Sequence, residues 1–349
     1  MLSGVPQGSS LDPLLFLIHI HDIDENLLFT TAATFANDTR LMGGIRGCED
    51  KAIMQNDLEK IYAWANENNM QFNGNKFELI MYGESNNDAP PFSQPDGTSI
   101  RKVDEVKDLG VLMDNKLTFR AEIDRAYSKS NRQAGWIMRV FRTRAEISMI
   151  TLYKALVRPH LKYACQLWSP LQLGLVRRLE VVQRSYTARI AGVGHLNYWE
   201  RLQRLKLYSL ERRRERYQVI YIFKILTGAV PNFSNARFRI RQTTSARRGR
   251  LCVVPPLNTG ATARLKTITD HYFAVRGPRL FNVLPIKLRD FEGSVDTFKA
   301  SLDSFLSKLK VRDQPEIPSY HQSSNSNSLV DQINQMKLEG LLLVDFYNT

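Results

Sequence analysis

Cysteine is scarce in this sequence. The 349 residues contain only Cys48, Cys165 and Cys252, which stand far apart and form neither a CxxC pair nor a zinc-ligand spacing. A disulfide framework or a structural zinc site needs cysteines at closer, paired spacings. We therefore expect three free thiols in an intracellular protein.

Long apolar runs are also missing. No stretch reaches the roughly 20 apolar residues that a membrane-spanning helix needs, and the first residues lack the charged and apolar regions of a secretory signal. The composition, 43% hydrophobic and 24% charged, is ordinary for a globular chain of two or three domains. The sequence thus predicts a protein of the nucleus or cytoplasm that is not secreted and has no membrane partner.

Acidic residues are few in the middle of the chain. Residues 1–90 hold 5 Lys and Arg against 13 Asp and Glu, whereas residues 91–315 hold 42 against 18. A strongly basic body attracts polyanions, of which nucleic acid is the commonest. The charge therefore predicts nucleic-acid binding that weakens as salt rises.

The spacing of apolar residues predicts an α+β chain with short strands first and helices afterwards. Leu14-Leu15-Phe16-Leu17-Ile18 is apolar on every side, which favours a buried helix. Short strands are expected over 27–36, 39–42, 76–83 and 103–113. Helices are expected over about 12–22, 49–68, 118–141, 145–157, 171–190, 209–227 and 294–309.

Two motifs carry the most information. Phe35-Ala36-Asn37-Asp38 lies at the bend of an apolar hairpin, and Pro6-Gln7-Gly8-Ser9 lies a short way upstream. Together they resemble the palm of a reverse transcriptase, and the polymerases of non-LTR retrotransposons fit best. The resemblance implies a partial polymerase palm of short antiparallel strands with helices, followed by a mostly helical thumb and connector.

In that family the hairpin tip reads Phe-Ala-Asp-Asp, and its first aspartate binds the catalytic metal directly. Asn37 occupies that position here, so Asp38 is left as the metal-site carboxylate. Two-metal nucleotidyl transfer uses Mg²⁺, which prefers anionic oxygens. The family's third aspartate precedes the Pro-Gln-Gly-Ser block, and we expect its strand and the fingers to be absent, since Met1 comes just before that block. The resemblance therefore implies a truncated, catalytically inactive polymerase.

Further residues match the family's functional positions. Gln7, Gly8 and Ser9 correspond to neighbours of the template and the incoming nucleotide. Lys76 corresponds to the lysine that protonates the leaving pyrophosphate, and Leu109 and Gly110 correspond to the primer-grip hairpin. The implied partners are an RNA template, a DNA primer and deoxynucleotides.

The similarity continues through the helical region to about residue 310. It predicts a partial palm over 1–115, a helical thumb and connector over 116–230, a basic loop with a helix over 231–312, and a flexible tail over 313–349. Basic helix faces suit phosphate contact, although such faces are also commonly just solvated. The arginines predicted to bind nucleic acid are Arg177, Arg184, Arg212, Arg213 and Arg214.

Two functional classes remain open at this point. The first is an RNA-directed DNA polymerase domain of a retrotransposon that has lost catalysis. The second is a non-catalytic nucleic-acid-binding module derived from such an element. A third alternative is a chain that does not fold, because half a palm leaves strand edges unpaired.

Overall fold

The computed structural model describes residues 8, 10–82, 91–230, 239–242, 251–254, 272–309 and 328–338. The chain divides into two units, Met1–Val106 and Lys107–Thr349. Short strands and helices are mixed in the first unit and helices dominate the second, so the predicted α+β class is confirmed. None of the described helices is long and apolar enough to cross a membrane.

The first unit is built from short elements. Helix α1 is followed by the hairpin β1–β2, the long helix α2, a one-turn 3₁₀ helix and the parallel pair β3–β4. The bounds are α1 Asp12–His19, β1 Thr31–Phe35, β2 Asp38–Met42, α2 Cys48–Glu67, the 3₁₀ helix Gly74–Lys76, β3 Glu78–Ile80 and β4 Arg101–Val103.

Helix α1 is more exposed than its sequence predicts. A small hydrophobic cluster holds this unit together, with Ile61, Trp64 and Ala65 of α2 packing on Ile20 and Ile23. Of α1 itself, Phe16 packs against that cluster. The exposed fractions of Leu14, Leu17 and Ile18 lie between 53% and 58%, so the expectation of a fully buried helix was wrong. Only one face of α1 meets the core of this unit.

The second unit begins with a hairpin and continues as a helical assembly. Strand β5 straddles the division between the units, and β5 and β6 pair with each other. The bounds up to the thumb region are β5 Glu105–Asp108, β6 Val111–Asp114, α3 Arg120–Val140, α4 Glu146–Leu152, a π-helix Tyr153–Val157, a 3₁₀ helix Arg158–Leu161, α5 Cys165–Trp168, α6 Leu173–Thr187, α7 Tyr198–Arg204 and α8 Leu210–Leu226.

The rest of the unit packs back onto α8. A short antiparallel hairpin, β7–β8, lies in a region predicted to be loop, and helices follow it. The bounds are β7 Arg239–Gln242, β8 Leu251–Val254, α9 Phe273–Asn282, α10 Ile286–Arg289, α11 Val295–Lys308 and α12 Leu329–Leu338.

Two hydrophobic clusters form the core of this unit. The first joins α3, the 146–168 region and α6, with Ile123, Ile137 and Leu179 fully buried. The second joins α8, α9, α11 and α12, and there the rings of Phe223 and Phe298 stack with centroids 3.9 Å apart. The apolar spacing predicted the long helices to within a few residues because each lays one regular stripe on a cluster.

A buried polar network ties α6 to its neighbours. The hydroxyl of Tyr153 donates to Gln183 Oε1 at 2.6 Å, and Gln183 Nε2 donates to the Tyr198 hydroxyl at 2.9 Å and to the Tyr208 carbonyl at 3.0 Å. Glu180 accepts from the Tyr198 hydroxyl and from the amide of Leu210 at 3.0 Å. The start of α8 is thereby fixed against α6.

Helix α9 is anchored by one buried arginine. Arg276 Nε donates to Gln218 Oε1 at 2.8 Å, and its terminal nitrogens donate to the carbonyls of Ser169 at 2.5 Å and Gln166 at 3.1 Å. Burial lowers the pKa of Arg276 to about 10. The guanidinium thus satisfies carbonyls at the end of α5 that have no helical partner.

Part of the predicted flexible tail is ordered. Leu329 and Ile333 of α12 are fully buried in the second cluster. The amide of Leu329 donates to Glu215 Oε1 at 2.8 Å. The prediction of a flexible tail over 313–349 is therefore wrong for residues 328–338, which form a helix. Leu329 and Ile333 are four residues apart, so both apolar side chains lie on one face of that helix. The other tail residues lie outside the described ranges.

Candidate functional site

The β1–β2 hairpin places the predicted metal-site residues at its tip. Phe35 pairs with Asp38 across the hairpin, so the turn consists of Ala36 and Asn37. Ala36 has φ 51°, in the left-handed region that is uncommon for residues other than glycine. Asn37 and Asp38 are both exposed. The predicted bend is confirmed, and its polar side chains face solvent.

The oxygen donors at this tip do not fit a two-metal centre. Asp38 supplies one carboxylate, and Asn37 supplies a neutral amide oxygen. Across the described residues, no group of three or more His, Cys, Asp or Glu side chains is placed to hold a metal ion. Two Mg²⁺ ions held side by side need several converging anionic oxygens. The Mg²⁺ that the resemblance implies therefore lacks a matching donor set here.

The entry to this hairpin is fixed by Asp57, a fully buried carboxylate on α2. Its two oxygens accept the amides of Leu28, Phe29 and Thr30 at 3.1, 2.9 and 2.9 Å, and Oδ2 also accepts the Thr30 hydroxyl at 3.1 Å. Burial by itself raises the pKa of Asp57, but these bonds and Lys60 outweigh it and hold the pKa well below its usual range. Sequence reasoning missed Asp57, although it lies one turn before Ile61 on the inner face.

The other predicted palm residues are dispersed. Gly8 lies in an exposed turn with φ 92°, and Gln7 and Ser9 lie outside the described residues. Lys76 is exposed at the end of the 3₁₀ helix, just before β3. Strand β3 pairs with β4, whereas Asp38 belongs to the β1–β2 sheet. The described strands therefore do not join Asp38 and Lys76 in a single sheet.

The loop that carries Lys76 is held by Tyr62 of α2 together with Phe72, Phe77 and Gln94. The rings of Tyr62, Phe72 and Phe77 pack together with centroids 5.4 to 5.9 Å apart. Gln94 accepts from the Tyr62 hydroxyl at 3.1 Å and donates to the Gly74 carbonyl at 3.2 Å. A Cβ at Gly74 would meet Gln94 Oε1 at 2.3 Å, so a larger residue there would displace the Gln94 amide.

Side chains of the second unit hold the predicted primer-grip hairpin at both of its tip residues. Leu109 has φ 42° and Gly110 has φ 82°. The Tyr163 hydroxyl donates to the Leu109 carbonyl at 2.7 Å, and the guanidinium of Arg125 donates to the Gly110 carbonyl. Glu122 in turn accepts from Arg125 Nε and from the Leu112 amide, each at 2.9 Å. The β5–β6 turn is thus held in one shape.

The five predicted nucleic-acid-binding arginines occupy different environments. Arg212 and Arg214 are only 8% and 2% exposed, and Arg212 lies 3.6 Å from Glu215 and donates to Gln332 at 2.6 Å. Arg184 stacks over the ring of Tyr198 at 4.7 Å. Arg177 and Arg213 are half-buried. The burial of Arg212 and Arg214 does not support their contact with a ligand, because both side chains are enclosed by other residues of the second unit.

Comparisons with known proteins identify the class. The chain is similar to RNA-directed DNA polymerases of mobile elements, and the resemblance to polymerases of non-LTR retrotransposons is confirmed. No protein-family model matches the chain. No solved structure is similar to it.

Three Drosophila melanogaster proteins represent that class. A probable RNA-directed DNA polymerase from transposon X-element is 28% identical over 199 residues, covering 54% of this chain and 22% of the relative. The polymerase from mobile element jockey is 25% identical over 209 residues, with the same coverage. The probable polymerase from transposon BS is 25% identical over 237 residues, covering 63% of this chain and 26% of the relative. The chain thus spans about a fifth to a quarter of the length of these relatives.

Proposed function

We propose that the chain is a palm and thumb segment of a non-LTR retrotransposon reverse transcriptase and does not itself polymerise DNA. The observation that carries this proposal is Asn37 at the tip of the β1–β2 hairpin, next to a lone carboxylate, Asp38. The similarity to polymerases of mobile elements supports the ancestry. By that ancestry, the partners are an RNA template, a DNA primer and deoxynucleotides.

The loss of catalysis follows from charge. Each metal ion in a two-metal centre stabilises oxygens that gain negative charge in the transition state, and the ions are held by anionic ligands. A neutral amide at the first ligand position weakens that hold. A loss of about 4 kcal/mol of transition-state stabilisation slows a reaction roughly a thousandfold. We therefore expect no measurable polymerisation.

Primer extension on poly-rA/oligo-dT tests this proposal. With Mg²⁺ and dTTP we expect no incorporation above a protein-free background. Asn37→Asp should not restore activity, because the described residues offer no group of carboxylates to complete the centre. Asp38→Asn is the matched control and should give the same background. Mg²⁺-dependent incorporation by the unmodified chain that Asp38→Asn abolishes would contradict the proposal.

A second candidate function is binding of nucleic acid without catalysis, supported by the 42 basic against 18 acidic residues over 91–315. In this proposal residues 116–230 act as a thumb that contacts phosphates, and the Leu109-Gly110 turn lies beside a primer end. Affinity for an RNA–DNA hybrid should then fall steeply with salt, because bound cations are released from the nucleic acid. An affinity that stays constant between low and high salt would exclude it.

A further inference from the structure

Two cations lie close to the ring of one tyrosine in the second unit. Arg213 and Tyr217 lie one turn apart on α8, and the Arg213 guanidinium sits 5.5 Å from the Tyr217 ring centroid. The Lys162 ammonium lies 5.9 Å from the same centroid. Arg158 lies four residues before Lys162, and its charge contributes to lowering the pKa of Tyr217. We call Arg158, Lys162, Arg213 and Tyr217 the Tyr217 cluster.

Two of these cations, Arg158 and Lys162, lie at the end of an irregular stretch of helix. The chain passes from α4 into the π-helix Tyr153–Val157 and then into the 3₁₀ helix that begins at Arg158. Pro159 has no amide hydrogen, so the regular helical ladder cannot continue through this point. Single π-turns of this kind are frequent at functional sites. Just beyond this irregular stretch, Lys162 lies over the ring of Tyr217 on α8.

Some hydrogen-bond donors of the cluster have no acceptor among the described residues. Arg213 donates to the Tyr217 oxygen at 3.3 Å, which leaves the hydroxyl proton of Tyr217 for another acceptor. The Nε atoms of Arg158 and Arg213 are buried without a hydrogen-bond partner in the described part of the chain. Within that part, no ion pair to a carboxylate involves Arg158, Lys162 or Arg213. Buried donors left without an acceptor are costly.

The positive charges of the Tyr217 cluster repel one another. Burial and the neighbouring Arg213 lower the pKa of Arg158. Burial raises the pKa of the Tyr217 phenol, but Arg213, Lys162 and Arg158 outweigh it and lower the pKa overall. Both shifts have the direction expected where positive charge is concentrated without a counter-ion. An anion rich in acceptor oxygens would relieve both.

We propose that the Tyr217 cluster binds a phosphodiester group of a polynucleotide backbone. A phosphate supplies acceptor oxygens to two guanidinium groups, one ammonium and one phenol, and its charge offsets three cations. The choice of a polynucleotide over another anion rests on the proposed function. The buried Arg212 and Arg214, on the same helix, take no part in this site.

Binding of a fluorescein-labelled RNA–DNA hybrid, measured by anisotropy, tests the site. We expect Arg158→Gln, Lys162→Gln and Arg213→Gln each to weaken binding about fivefold or more at low salt, as for a charge-assisted contact. Each should also reduce the slope of log affinity against log salt by about one, the value for a single phosphate contact. Lys299→Gln removes a cation from α11, where Lys299 pairs with Asp296 at 2.8 Å, and should change neither quantity.

A second measurement reports on the site without nucleic acid. The difference in absorbance at 295 nm between the unmodified chain and Tyr217→Phe isolates the ionisation of Tyr217. Inorganic phosphate should raise the pH at which that ionisation occurs, because a bound anion opposes a second negative charge. Circular dichroism melts of every variant confirm that each is folded.

The outcomes separate this inference from the proposed function. If the unmodified chain binds the hybrid and the three cluster variants bind it equally well, the inference is overturned and the proposed nucleic-acid binding stands. If the unmodified chain binds no hybrid, the nucleic-acid function fails and the polynucleotide ligand is overturned with it. In that case a shift of Tyr217 ionisation by phosphate still supports an anion site, and the absence of a shift rules that site out.

Discussion

Asp57 Oδ2 lies 2.9 Å from the amide nitrogen of Thr30, the residue immediately before strand β1. The bond joins the middle of α2 to the start of the hairpin whose other end carries Asn37 and Asp38. A carboxylate can accept several hydrogen bonds at once, and Asp57 accepts those of three successive amides. We therefore infer that the geometry of the tip depends on a residue that is not part of it.

Replacing Asp57 tests that dependence. We expect Asp57→Asn to destabilise the first unit by about 1–3 kcal/mol, because an asparagine has only one acceptor oxygen for these amides, of which that of Thr30 is buried. Hydrogen exchange by mass spectrometry should show faster exchange of the Leu28, Phe29 and Thr30 amides. Asp50→Asn on the same helix, where Asp50 accepts from the exposed Arg46 amide at 2.7 Å, is the control and should leave those amides protected. Unchanged exchange in Asp57→Asn would show that the bonds are not important.

The same carboxyl makes the first unit sensitive to acid. The folded-state pKa of Asp57 lies below the ordinary value of about 3.9. Its contribution to stability is therefore fully present above about pH 4 and is lost as pH falls through the folded pKa. The difference in exchange protection at residues 28–30 between the unmodified chain and Asp57→Asn should shrink as pH falls below 4. A constant difference down to about pH 2 would contradict this.

Gln183 should be among the most sensitive positions of the second unit. Its side chain bridges the Tyr153 and Tyr198 hydroxyls and the Tyr208 carbonyl, and it is 1% exposed. Gln183→Ala leaves buried polar groups without partners, so we expect the free energy of unfolding to fall by about 2–3 kcal/mol. Urea denaturation measures the loss. Gln203→Ala, at an exposed position on α7, is the control and should stay within about 0.5 kcal/mol of the unmodified chain.

Glu180 should give stability the opposite pH dependence from Asp57. Burial raises the pKa of Glu180, although the Tyr198 hydroxyl and Arg214 act against that rise. The folded state then holds a proton that the unfolded chain releases near pH 4.3, so stability falls as pH rises from there through the folded pKa. Glu180→Gln should gain stability relative to the unmodified chain over that range. Urea denaturation at several pH values between about 4 and 8 measures that difference.

Two glycines of the second unit should respond to alanine with opposite signs. Gly110→Ala should cost about 1–2 kcal/mol, because its φ of 82° is unfavourable for a residue with a Cβ. A Cβ there would lie 3.7 Å from Tyr163, an ordinary contact, so the cost is conformational. Gly135→Ala, in the middle of α3 with open space around its Cβ position, should stabilise by about 0.5–1 kcal/mol. A destabilising Gly135→Ala, or a neutral Gly110→Ala, in thermal denaturation would refute this reading of the backbone.

The elements that sequence predicted well are those governed by local spacing. Helix α11 begins after Ser294, whose hydroxyl accepts from the Thr297 amide at 3.2 Å, and its apolar stripe predicted both the helix and its inner face. The burial of the arginines in the charged run that opens α8 was harder to predict from the sequence. Arg212 and Arg214 stand two residues apart, and so on different sides of the helix, yet both are buried, whereas Arg213 and Arg216 are half-buried. Composition alone cannot make that distinction.

The residues that sequence could not predict have partners far along the chain. Arg276 donates to Gln166 and Ser169, more than 100 residues earlier. Periodicity identifies a buried face, but it does not indicate which distant carbonyl a polar side chain on that face will meet. The exposure of α1 was unpredictable for the same reason, because burial of an apolar helix depends on what packs against it.

Helix α8 has consequences for biosynthesis. The amide of Leu329 bonds to Glu215 and Asp303 pairs with Arg216, so partners of this helix are translated about 90 to 115 residues after it. Until the ribosome has made them, its carboxylate and guanidinium groups stay hydrated and its apolar stripe stays bare. Closing such long loops is slow. The second hydrophobic cluster can therefore be completed only after Ile333 has left the ribosome.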